Sequence, residues 1–117
     1  MISLRLFLLS VLVVLGSLRG GAPGNATISC PASGNKQIST TRTSAQWIEF
    51  VNPAANSGSI YLGGSKIATS GANSGAFMTT GSSWLWPPIA NTAPYDLSQI
   101  WFACGTSGDS LSYTYFQ

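Results

Sequence analysis

After residue 22 no useful length of this chain repeats an apolar residue at the three-to-four spacing of a helix. It runs instead as short apolar or β-branched segments cut by Gly, Pro, Asn and Ser. Residues 27–30, 36–43, 45–51, 60–62, 76–80, 83–86, 97–104 and 110–116 read as strands. Segment 36–43 is polar and β-branched, which suits an exposed or edge strand. Residues 66–69 can pair beside 60–62. Pro87-Pro88 ends the strand at 83–86, because proline brings no ladder donor. In the last segment Leu111, Tyr113 and Tyr115 alternate with Ser112 and Thr114, giving one buried and one wet face. Ile100, Phe102 and Cys104 share a face of the segment before it, and the short Gly-containing link predicts a hairpin between the two. The fold expected is all-β: a single antiparallel β-sandwich or small jelly roll of about seven to eight short strands.

Residues 1–22 differ from the rest. Residues 6–18 (LFLLSVLVVLGSL) carry no charge and lie between Arg5 and Arg19. The run is short for a bilayer span, which needs roughly 20 residues. A basic start, a short apolar helix and small residues at Gly20 to Ala22 fit a secretory signal peptide cleaved after Ala22 or Ala26. The alternative is a retained leader that contacts a membrane or docks on a neighbour. The domain is then 23–117.

Charge narrows the chemistry. Of the 117 residues none is histidine, and the net charge of +2 is carried by Arg5 and Arg19. Beyond the leader Lys36, Arg42 and Lys66 balance Glu49, Asp96 and Asp109. Scattered cations do not make a phosphate-binding surface, so nucleic acid is not expected as a partner. Near-zero net charge favours self-association. Ser/His/Asp and Cys/His catalysis need a histidine. A carboxylate pair would need two of Glu49, Asp96 and Asp109 about 5 to 10 Å apart. Asp109 falls in a turn, Asp96 reads as a turn or cap residue, and Glu49 sits mid-strand. Gly63-Gly64-Ser65 lacks the spacing of a phosphate loop. The expectation is no enzyme, no catalytic residue, no cofactor and no metal.

Cys30 and Cys104 sit near opposite ends of the domain. Behind a secretory leader they read as a disulfide, worth roughly 4 kcal/mol on the chain-entropy model. Two buried thiols are the alternative. Four tryptophans are many for this size. Trp47 and Trp101 lie in apolar strands and read as core. Trp84 and Trp86, next to Pro87-Pro88, share one side of a strand. They are the interface or glycan-contact candidates. Asn25-Ala26-Thr27 matches a glycosylation sequon and is read as chance.

The stretch 60–116 carries a pattern: Ile60-Tyr61-Leu62-Gly63-Gly64-Ser65, then Tyr95-Asp96-Leu97-Ser98-Gln99-Ile100, then Leu111-Ser112-Tyr113-Thr114-Tyr115-Phe116, with Trp47 to Asn52 ahead of it. It resembles small β-sandwich structural proteins of bacteriophage virions, as found in capsids, tails or decorations. The resemblance covers about 70 residues, and its motifs are turn glycines and alternating β residues. It implies a virion location, assembly as a homo-oligomer with other virion proteins, and no transferable binding residue. The leader, the cysteine pair and the Trp-Leu-Trp-Pro-Pro segment depart from it. They keep open a secreted carbohydrate-binding or adhesion module closed by a Cys30–Cys104 disulfide.

Overall fold

The computed structural model describes residues 23–89 and 93–117. The leader, its expected helix and the Ala22 cleavage point lie outside the described residues, whereas Ala26, the other cleavage point, falls within them.

The described chain is all-β, and every pair of strands runs antiparallel. In order the strands are β1 (Pro23–Ser29), β2 (Asn35–Gln37), β3 (Ser44–Ala45), β4 (Trp47–Val51), β5 (Ile60–Gly63), β6 (Phe77–Met78), β7 (Ser83–Trp86), β8 (Tyr95–Asp96), β9 (Trp101–Cys104) and β10 (Ser110–Phe116). A 3₁₀ turn, Leu97–Gln99, joins β8 to β9. The first sheet has the order β1-β10-β4-β7, the second β2-β9-β5-β6, and β3 pairs β8 in a short ribbon.

The strands outnumber the seven to eight expected because one run is divided and Tyr95–Asp96, ahead of the 97–104 run, forms a short strand of its own. Residues 45–51 break at Gln46: Ala45 pairs with Tyr95, whereas β4 pairs with β10 and β7. Residues 97–104 open with the 3₁₀ turn, because the Asp96 carboxylate accepts the Ser98 N–H and caps it there. Residues 66–69 form no strand, only an isolated bridge between Ala68 and Ser74.

The expected hairpin does not form. β9 and β10 are not a hairpin; they belong to different sheets. Each has one strongly apolar face, and placing them in opposite sheets lets Phe102 and Leu111 enter the same core. The link between them is bent back by the Gly105 N–H donating to Ser59 O and the Ser57 and Gly58 N–H groups donating to Asp109.

A single core joins the two sheets. Ile48, Phe50 and Leu111 come from the first, and Ile60, Leu62, Met78 and Phe102 from the second. Ala45, Leu97, Ile100 and Ile38 close it at the end near the β3–β8 ribbon. Cys30, just after β1, is disulfide-bonded to Cys104 at the end of β9, with 5.9 Å between their Cα atoms. That bond ties the first sheet to the second across 74 positions of sequence.

Candidate functional site

Trp84 and Trp86 do share a side of β7, and the register decides which. Trp84 lies opposite Phe50 and Trp86 opposite Ile48, and both of those β4 residues are fully buried. The two indoles therefore face inward, half-buried, at the rim of the core. Trp86 packs edge-on against Phe50 at 5.2 Å and against Trp84 at 5.5 Å, with Tyr95 also at 5.5 Å. Its Nε1–H is buried with no hydrogen-bond partner among the described residues. The aromatic packing extends across β4 to Tyr113 and on to Tyr115. Burial pushes the Tyr113 hydroxyl above its ordinary pKa, and the neighbouring Tyr115 adds to that. Leu85 between the tryptophans points the other way and is 48% exposed.

Trp47 and Trp101, expected in the core, sit on outer faces. Trp47 follows the odd positions of β4, opposite in direction to Ile48 and Phe50. It meets Phe116 edge-on at 5.1 Å. The outer face of the first sheet thus carries Trp47, Val51, Leu85 and Phe116 among Ser and Thr residues, and Glu49 is its one charged strand residue. Phe116 is 41% exposed.

On the second sheet Trp101, Ala103 and Tyr61 point outward, because Phe102, Ile60 and Leu62 point in. Tyr61 packs against Phe77 at 5.3 Å, and Phe77 is 55% exposed. Part of this face is roofed. Asn35 Nδ2 donates to Ser65 O and Ile67 O and holds the loop over β2. Ile67 fills the space above Gly63, where any Cβ would crowd it. Gly64, Ser65, Lys66, Ile67 and Asn73 line a concavity of about 370 Å³ there.

Asp109 and Asp96 hold turns in place. Asp109 is buried, and its carboxylate accepts the N–H groups of Ser57 and Gly58. Asn52, fully buried, donates to Gly58 O and Met78 O and accepts from Asn56 Nδ2. Asn56 in turn bonds both the N–H and the C=O of Ser110. These groups lock the 52–59 loop to β6 and to the start of β10. Asp96, a cap as the sequence suggests, accepts from the Ser98 hydroxyl, the Ser98 N–H and the Thr43 N–H, with Arg42 3.7 Å away. The Ser98 hydroxyl bond first, then its N–H, hold the Asp96 pKa below the ordinary value. No group of three or more metal-ligating side chains occurs among the described residues.

Phe77, Leu85 and Phe116 were not singled out in the sequence. Alternation could have found Leu85, since it is the odd member of Trp-Leu-Trp. Compared with protein-family models, curated proteins and solved structures, the chain finds no match.

Proposed function

We propose that this chain is a non-catalytic assembly module, a small β-sandwich that serves as a structural component of a virion, joining or decorating its capsid or tail. The observation that carries the reading is the apolar surface on the outside of both sheets in a domain almost without charge. Leu85 and Phe116 with Trp47 lie on one outer face, and Phe77 with Tyr61 on the other. Completing the burial of three half-exposed side chains of this size supplies about 1 kcal/mol each. Few charged groups have to be desolvated in exchange. The resemblance of residues 47–116 to phage structural proteins supplies the setting.

The test is incorporation. Leu85→Lys and Phe77→Lys change side chains that already touch solvent, so the fold tolerates them while the outer faces become charged. Tagged variants that enter particles as efficiently as the parent would sink the proposal.

A second reading, a secreted carbohydrate-binding or adhesion module, is favoured by the inter-sheet disulfide and by the Tyr61–Phe77 aromatic pair on the outer face of the second sheet. It expects tryptophan fluorescence to change on titration with a polysaccharide. A flat response across a glycan panel argues against it.

A further inference from the structure

Among the described residues each four-stranded sheet ends in two edge strands, and three of these four are guarded. β6 has two residues. β2 has three and carries Lys36. β7 has four and runs into Pro87-Pro88. Shortness, lysine and proline are the usual devices against edge-to-edge pairing. β1 has seven residues, PGNATIS, with no charge, and its proline stands at the first position only.

The hydrogen bonding of β1 shows which groups it leaves open. The Cys30 N–H donates to Asp109 O at 2.9 Å, which continues the register that sets Ser29 opposite Ser110. Bonded and non-bonded pairs alternate along an antiparallel ladder. Gly24, Ala26 and Ile28 therefore turn their backbone groups toward β10. Pro23, Asn25, Thr27 and Ser29 turn theirs away from the sheet. Lys36 Nζ reaches the outward carbonyl of Ser29 at 3.4 Å, as that geometry requires.

We propose that β1 pairs antiparallel with β1 of a second copy of this chain, Ala26 opposite Ala26, so that the two first sheets become one. This inference rests on the assembly reading and names its surface and its partner. The open groups are self-complementary in that register. Asn25 faces Thr27 of the second copy, and each exchanges an N–H and a C=O with the other. Ser29 faces Pro23 of the second copy and donates its N–H to the Pro23 carbonyl. Proline has no N–H to return, and the Ser29 carbonyl it would have met is the one already bonded by Lys36. About six hydrogen bonds form, and no outward donor of β1 is left over. The side chains agree. Ala26 meets Ala26 at the close non-bonded position, where about 4.5 Å between Cα atoms leaves room for small residues only. Ile28 meets Gly24, across which the Tyr115 ring lies, and polar Asn25 meets polar Thr27 on the outer side.

The experiment is sedimentation velocity and amide hydrogen exchange on the full chain with its disulfide intact. The parent is expected to be a dimer in which the amides of Asn25, Thr27 and Ser29 are protected along with those of Ile28 and Cys30. Thr27→Pro removes an outward donor from each copy and leaves every backbone bond to β10 in place, losing on that side only the exposed Thr27–Ser112 hydroxyl contact, and weakens the dimer about thirtyfold at roughly 1 kcal/mol per bond. Asn25→Lys with Thr27→Lys keeps every backbone bond to β10, gives up only the exposed Thr27–Ser112 hydroxyl contact, guards the edge, and is expected to be monomeric with parental tryptophan fluorescence. A monomeric parent at the highest soluble concentration overturns the inference. So does a parent dimer whose Asn25 and Thr27 amides exchange as fast as loop amides. A dimer that survives the double lysine change but is lost in Leu85→Lys refutes the edge and leaves the assembly reading standing.

Discussion

Replacing Asn52 by alanine is the sharpest probe of how the two sheets are held in place. The side chain is fully buried and takes part in three hydrogen bonds: to Gly58 O, to Met78 O and from Asn56 Nδ2. At about 1 kcal/mol per bond, truncation costs about 3 kcal/mol, and carbonyls left buried without a donor push the figure upward. For a domain of this size that lowers Tm by about 15 °C. Asn52→Asp is the informative partner variant. It keeps the shape but turns the donating amide into an acceptor facing two carbonyl oxygens. At neutral pH it costs at least as much as alanine. The introduced carboxyl prefers to be neutral in the fold, so its folded pKa lies above its unfolded one. The lost stability is then regained as pH falls through that folded value. Urea unfolding followed by tryptophan fluorescence, with the disulfide intact, measures both. A loss under about 1 kcal/mol for Asn52→Ala, at unchanged m-value, would refute the network's role.

Four further outcomes follow from the same geometry. Reducing the Cys30–Cys104 bond, or Cys30→Ser with Cys104→Ser, is expected to cost roughly 4 kcal/mol in the same urea assay. Asp96 has a depressed pKa, so its contribution is complete above the unfolded carboxylate value and is lost as pH falls through the folded one; Asp96→Asn flattens that part of the acid unfolding curve. Trp86→Phe removes a buried N–H that has no partner among the described residues, and changes stability by no more than about 1 kcal/mol by thermal melt. Trp86→Ala, which empties the space against Phe50, costs about 3 kcal/mol or more in that melt.

Alternation and turn residues made the strands readable from sequence, but not their partners. β7 was legible to the residue, because Gly81 and Pro87-Pro88 bracket it; Gly81 adopts a positive φ of 80° that few other residues accept. The 97–104 and 110–116 segments were found too, yet a short glycine-containing link looks the same whether it joins neighbours in one sheet or strands of facing sheets. What decides is the carboxylate of Asp109 gathering amides more than fifty positions away, which no local pattern displays. The tryptophans fail for a related reason. Apolar character marks Trp47 and Trp101 as buried, but the register of Ile48, Phe50 and Phe102 sends them outward, and the same parity turns Trp84 and Trp86 in. Asn52 reads as the start of a loop, and only the closed structure shows it as the most buried polar side chain.

Peptide mass spectrometry across density-gradient fractions of the native source tests the assembly account most directly, searched without assuming where the mature chain begins. The account predicts that peptides of residues 23–117 band with particles at a fixed ratio to the other particle proteins. Recovery only from the soluble supernatant, with none in any particle band, would contradict it.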